Sequence, residues 1–131
     1  MPEEITVEPA RAGRKLYIAP SSLLRGQPEL PSSKYYTLRY LLAATLARGE
    51  STVAFPAVSE DSEVLFRACR SLGAHLQWCD EQQHALRVNG VGRPHSQEAV
   101  TINVGNAGAV LRLLLGLGAL LHEVTFITDH A

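Results

Sequence analysis

The sequence predicts an α/β fold built on a βαβαββ unit, present once in full and then begun a second time. Three observations predict it. Two stretches repeat at one offset: Leu38-Arg39 recurs as Leu111-Arg112 (112 − 39 = 73), and at that spacing Leu41-Leu42 matches Leu114-Leu115, Glu50 matches Glu123 and Thr52 matches Thr125. Each copy leads from a polar turn through an apolar helix to a strand. Between the copies the apolar residues change from helical spacing to alternation, with glycine and serine at the changeovers.

The elements follow in order. Ile5-Thr6-Val7 reads as a short strand closed by Pro9, and Lys15–Ala19 as a second. Three prolines and a glycine make Pro20–Pro31 a loop, part of a loop insertion over residues 20–33. Leu38, Leu41, Leu42, Thr45 and Leu46 keep helical spacing, so Lys34–Arg48 is an amphipathic helix capped by Ser33 and stopped by Gly49. Ser51–Phe55 is rich in β-formers and reads as a strand. Ser59 caps the next helix, with Glu60 and Asp61 in its first turn. Its inner face is Val64, Leu65, Ala68, Cys69 and Leu72, and Gly73 stops it. His75–Cys79 and Ala85–Val91 alternate across the polar Asp80–His84 and form an antiparallel hairpin. That completes a first unit over residues 34–91.

Gly92–Gln97 is a loop, Ala99–Val104 a strand, and Gly105-Asn106-Ala107-Gly108 the second polar turn. A helix over Ala107–Leu121, with Asn106 as its cap, and a strand over Val124–Thr128 begin the second unit, residues 99–131. That helix is apolar nearly all round, which predicts burial on most sides. Little chain remains to bury it, so more protein or a partner is expected to cover it, and the chain alone is expected to self-associate.

Composition narrows the function. At 131 residues, 46% hydrophobic and 19% charged, the chain is one globular domain by length. A net charge of −1 argues against a general nucleic-acid binder. No charged leader with an apolar run opens the sequence, and Ala109–Leu121 carries Arg112 and is too short to span a bilayer. Cys69 and Cys79 suggest neither a disulfide framework nor a metal cage, and the five histidines lack ligand spacing. No metal or cofactor is expected, and a reduced cytoplasmic setting fits.

The chemistry sits at the two helix starts. A helix N-terminus carries unpaired N–H groups and about half a positive charge. Arg39 lies six residues past Ser33 and Arg112 six past Asn106, ~9 Å into each helix, and an extended arginine can lean back over that distance. Lys34 opens the first helix. Lysine as a point charge beside a planar guanidinium suits an oxyanion. Two such helices on adjacent parallel strands could hold one doubly anionic ligand, or two anions side by side. Gly105 and Gly108 would let it approach the backbone. The plainer alternative for each basic residue is a solvated surface charge. It is weakest for Arg112, a lone charge in an apolar helix.

These residues resemble a family. The run Pro31-Ser32-Ser33-Lys34-Tyr35-Tyr36-Thr37-Leu38-Arg39 resembles the first substrate motif of EPSP synthase (3-phosphoshikimate 1-carboxyvinyltransferase), Pro-Gly-Ser-Lys-Ser-x-Ser-x-Arg. Ser59-Glu60-Asp61 and Leu72-Gly73-Ala74 resemble its Ser-Asp-Asp and Leu-Gly-Ala. Gly105-Asn106-Ala107-Gly108, then Arg112, resembles its Asn-Ala-Gly-Thr-x-x-Arg phosphoenolpyruvate motif. The resemblance spans nearly the whole chain. It implies the enolpyruvyl transferase fold, an inside-out α/β barrel of two lobes, of which this chain would be an N-terminal portion. It implies transfer of the enolpyruvyl group of phosphoenolpyruvate to the 5-hydroxyl of shikimate 3-phosphate, in the shikimate pathway of aromatic amino acid biosynthesis. Lys34 would be catalytic and touch both substrates. Tyr35 and Arg39 would face shikimate 3-phosphate, Asn106 and the Gly108 amide would hold phosphoenolpyruvate, and Arg112 would support them. Tyr35 stands where the family has serine, Ser32 where it has glycine, and Ala109 where it has threonine. The acid/base carboxylate belongs to the other lobe, so this chain alone is expected to be inactive. Two other readings stand beside this one. One is a non-catalytic anion-binding or interaction module of the same fold. The other, further behind, is a UDP-N-acetylglucosamine enolpyruvyl transferase relative, a branch that resembles Lys-Asn-Ala at the first helix.

Overall fold

The computed structural model describes residues 25–93 and 99–129. The strands expected at Ile5–Val7 and Lys15–Ala19 lie outside the described residues. Residues 25–33 form the end of the expected loop and carry no regular structure.

Helix α1 spans Lys34–Leu46, and the Ser33 hydroxyl accepts from the Tyr36 N–H. Thr37, Leu38, Leu41, Ala44 and Thr45 are buried, the one-sided stripe that helical spacing produces. The Thr37 hydroxyl donates to the Ser33 carbonyl at 2.9 Å and accepts from the Ala57 N–H at 2.8 Å. It thereby ties the helix start to a later loop. Helix α1 ends two residues before the predicted Arg48. Ala47 is its C-cap, and Gly49 lies inside the next strand with φ +88° rather than stopping the helix. The cause is a sheet partner. The Gly92 N–H donates to the Ala47 carbonyl, and the ladder Arg48↔Val91 begins at once.

Strand β1, Arg48–Ala54, starts three residues before the predicted Ser51 and stops before Phe55, which turns away with φ +46°. Helix α2, Glu60–Ser71, opens on a capping box in which Ser59 and Ser62 bond each other's backbone reciprocally. It buries Val64, Leu65, Phe66, Ala68 and Cys69 and closes at Gly73, whose φ is +95°. Strands β2, His75–Trp78, and β3, Ala85–Val91, pair antiparallel as the alternation predicts. β1 adds antiparallel to the other side of β3, giving the order β1-β3-β2.

Strand β4, Val100–Gly105, helix α3, Gly108–Gly118, and strand β5, Val124–Thr128, form a parallel βαβ unit with its own two-stranded sheet. Thus α1 and α3 do not stand on adjacent strands of one parallel sheet as expected. Among the described residues, α3 alone is framed by parallel strands. α3 is also shorter than the predicted Ala107–Leu121. Its cap is Ala107, with no side-chain bond, in place of Asn106. At its far end Gly118 sits under the side chains of Val124 and Phe126, and Leu120 and Leu121 turn back onto the carbonyls of Leu117 and Gly118.

The two sheets share one core. Leu38, Leu41, Leu65, Cys69, Leu86, Val88, Val104, Val110 and Leu114 are fully or almost fully buried in it. Helix α2 is the bridge, packing on α1, β2, β4 and α3. The 73-residue repeat is visible here as matched burial: Thr37 and Val110, Leu41 and Leu114, Ala44 and Leu117 all face inward. The predicted burial of α3 holds for that stripe only. Leu115 is 54% exposed and Leu120 49% exposed.

Candidate anion-binding site

Local sequence fixes where the basic residues point. Side chains on a helix lean toward its N-terminus. Arg39 does so, and its Nη1 donates to the Tyr35 carbonyl at 2.9 Å. Arg112 does the same one repeat later. Its Nη1 lies 3.7 Å from the place a Cβ on Gly108 would occupy. Each guanidinium therefore reaches back four residues, over the first turn of its helix.

α1 and α3 are brought close enough for these arginines to share a cleft of about 240 Å³, lined by Tyr35, Leu38, Arg39, Ala109, Arg112 and Leu113. No acidic residue lines it. Among the described residues neither arginine forms an ion pair. Two cations facing one small apolar-walled space create a positive potential that an anion would relieve. A neighbouring hollow of about 160 Å³ is lined by Val104, Gly105, Asn106, Ala107, Gly108, Leu111 and Thr128. Gly105 turns there with φ +51°, and a Cβ on it would sit 3.0 Å from an Asp129 carboxylate oxygen. The Gly105 N–H donates to Asn103 Oδ1 at 2.7 Å.

Lys34 is placed apart from the arginines. Its Nζ lies 3.1 Å from Asp61 Oδ2 and 5.4 Å from the centre of the Tyr35 ring. It lines neither hollow. Asp61 reads in the sequence as one of the acids that favour a helix start. In the fold it also neutralises the lysine that opens α1. Nothing local signals the pairing, because Lys34 and Asp61 lie on different helices that come together only on folding. The sequence-predicted residues thus fall into three groups: Tyr35, Arg39 and Arg112 together, Asn106 and Gly108 lining the neighbouring hollow, and Lys34 over the Tyr35 ring and paired with Asp61. Ala109, which stands where the family motif has threonine, also lines the cleft, as does Leu113, which neither charge nor motif singled out.

Away from the cleft, the Cys69 thiol is pushed up by burial, and the neighbouring Thr45 hydroxyl draws it only partly back. Among the described residues the buried Thr45 Oγ1 has no hydrogen-bond partner. Cys79 is exposed. Among the described residues no three His, Cys, Asp or Glu side chains gather as metal ligands.

The family described as EPSP synthase (3-phosphoshikimate 1-carboxyvinyltransferase) matches the sequence over residues 18–129. The chain belongs to the EPSP synthase family. A 3-phosphoshikimate 1-carboxyvinyltransferase of Deinococcus radiodurans is 45% identical over 114 residues, covering 86% of this chain and 25% of that protein. The one from Chlamydia caviae is 35% identical over 111 residues, covering 85% and 24%. The solved EPSP synthase from Acinetobacter baumannii shares the fold, with a TM-score of 0.67 at 22% identity over 79% of this chain and 24% of that one. The chain therefore spans about a quarter of the length of the EPSP synthases it matches.

Proposed function

We propose that this chain is an N-terminal portion of a 3-phosphoshikimate 1-carboxyvinyltransferase and supplies part of its anion-binding surface. In that reaction the 5-hydroxyl of shikimate 3-phosphate loses its proton and its oxygen bonds to C2 of phosphoenolpyruvate, while the C2=C3 π bond opens and C3 takes up a proton. The tetrahedral adduct then loses a proton from C3 as the bond from C2 to the phosphate oxygen breaks, which releases phosphate and restores the double bond of the enolpyruvyl ether. Both substrates and the leaving group are anions. The carrying observation is the acid-free cleft in which Arg39 and Arg112, equivalent positions of the repeat, converge.

In this reading Arg39 and Tyr35 meet shikimate 3-phosphate. Asn106 and the backbone at Gly108 meet phosphoenolpyruvate, with Arg112 between the two hollows. Lys34 leaves Asp61 to contact both ligands and offset charge as it moves onto the departing phosphate. The division into a first unit, residues 34–91, and the start of a second, residues 99–131, is part of the same proposal. So is a cytoplasmic setting, supported by two unpaired cysteines. The remainder of the two-lobed enzyme supplies the acid/base group, so this chain binds but does not turn over. Isothermal calorimetry with shikimate 3-phosphate tests the reading. Weak binding is expected, falling by roughly tenfold or more in Arg39→Ala and in Arg112→Ala, the loss of one charge-assisted contact. Equal binding by Arg39→Ala and the parent chain would remove Arg39 from the site.

A further inference from the structure

Lys34 and Asp61 meet at 3.1 Å although they lie in the first turns of different helices. Those two helix starts must be held in register. Asp61 is fixed from its own side: Ser59 and Ser62 close the capping box that starts α2, and Val64 and Leu65 are buried one turn on. Lys34 stands ahead of the first buried residue of α1, which is Thr37. The Thr37 hydroxyl uses both its donor and its acceptor capacity at this junction. It donates at 2.9 Å to the carbonyl of Ser33, the residue before Lys34, and accepts at 2.8 Å from the Ala57 N–H, in the middle of the loop between β1 and α2. That loop is held at its start by the Phe55 N–H, which donates to the His84 carbonyl, and at its end by the capping box. Thr37 therefore ties the backbone beside Lys34 to the backbone leading to Asp61.

The repeat shows that packing does not require this hydroxyl. The position equivalent to Thr37 is Val110 (37 + 73 = 110), as buried in α3 as Thr37 is in α1. Valine has the shape of threonine without the oxygen. A buried hydroxyl adds nothing to an apolar core and is costly unless bonded. Where the fold needs only an apolar contact it carries valine, and where it carries the oxygen both bonds lie at the start of α1.

We propose that Thr37 is the positioning residue for Lys34. Its hydroxyl locks the start of α1 to the loop before α2, which sets the lysine ammonium against Asp61 and within reach of the ligands assigned to it above. Without that oxygen the half-buried Ala57 N–H turns to water, the loop lifts from α1 and the lysine loses its fixed place. This rests on the substrate reading above and adds to it a buried residue that acts only through Lys34.

Side-chain NMR of Lys34 and calorimetry with shikimate 3-phosphate test it on the 131-residue chain, in the parent, Thr37→Val, Thr37→Ala, Thr37→Ser and Asp61→Asn. Valine keeps the volume and loses the oxygen; serine keeps the oxygen and loses a methyl group. Packing alone therefore favours valine, and positioning favours serine. Asp61→Asn marks where the Lys34 ε-methylene signal lies without its carboxylate partner. In the free chain that signal is expected at the parent position in Thr37→Ser and displaced toward the Asp61→Asn position in Thr37→Val and Thr37→Ala. Affinity for shikimate 3-phosphate should fall roughly three- to tenfold in Thr37→Val, part of one charge-assisted contact, and stay within about twofold in Thr37→Ser. A Lys34 signal that keeps the parent position without the hydroxyl overturns the proposal, as does a displacement in Thr37→Ser equal to that in Thr37→Val. Failure of the substrate reading looks different. There the Lys34 signal follows Thr37 as expected but does not move when the parent is saturated with shikimate 3-phosphate, and any part of Thr37 in binding falls with it.

Discussion

Cys69 and Cys79 show how far one residue type can differ within one chain. Cys69 is buried at the contact of α1 and α2, facing the Thr45 hydroxyl, while Cys79 follows β2 in the open. Burial disfavours the thiolate, so the folded pKa of Cys69 lies above the ordinary thiol value. The sign follows from proton counting. Above the ordinary thiol range the unfolded chain has released this proton and the folded one has not, so stability falls as pH rises. Full stability is present below about pH 8.5 and declines from there toward the folded thiol's own pKa. Urea unfolding midpoints at rising alkaline pH should drop more steeply for the parent than for Cys69→Ala, which has no thiol to ionise. Matching slopes would show that Cys69 does not couple to folding. Its inward position was legible in the helical spacing of Val64, Leu65, Ala68 and Cys69. The ion pair between Lys34 and Asp61 was not, because residues 27 positions apart (61 − 34 = 27) meet only when two helices pack.

Among the elements, the hairpin was the easiest to read, since alternation is a local signal that sheet formation then obeys. The ends of α1 and α3 were misread for opposite reasons. Gly49 looks like a helix stop, yet strand pairing captures Arg48 first. Asn106 looks like a cap, yet the chain turns inward at the buried Ala107. One glycine whose role no pattern revealed is Gly90. It pairs with Gly49 and lies against the last turn of α1. A Cβ there would overlap the carbonyl oxygens of Ala44 and Ala47 and sit 2.9 Å from that of Thr45. Backbone cannot step aside as a flexible side chain can. Gly90→Ala should therefore destabilise by about 1–3 kcal/mol, the usual range for overpacking, or more. The lowered urea midpoint should come with signal changes at both α1 and β3. A midpoint within error of the parent would mean that α1 can lift off the sheet at little cost.

For the molecule as a whole, the repeat at offset 73 carried most of what could be read without coordinates. It predicted two helices of matching inner face and two arginines of matching reach, and burial of the paired positions agrees. It could not show which strands pair, because sheet order depends on contacts between distant segments. That is why the parallel arrangement expected for both helices holds only for α3. Nor could it show that Leu115 of α3 and Leu120 just beyond it would stay in solvent while Ile127 of β5 stands 44% exposed. Apolar surface left open on a small protein favours association. Sedimentation velocity over a rising concentration series should show the weight-average mass climbing above that of one chain, and Leu115→Glu should suppress the rise. A constant monomer mass in the parent would argue that this face is stable in water.

The parallel pair β4–β5 has one further consequence. Strand β5 meets a neighbour on one flank only among the described residues. In such a strand successive backbone amides point alternately to the neighbour and to the open flank. Deuterium uptake across Val124–Thr128 should accordingly read as a fast–slow checkerboard. Whatever segment next settles on that bare rim would erase the fast squares, which makes them a built-in reporter of strand addition.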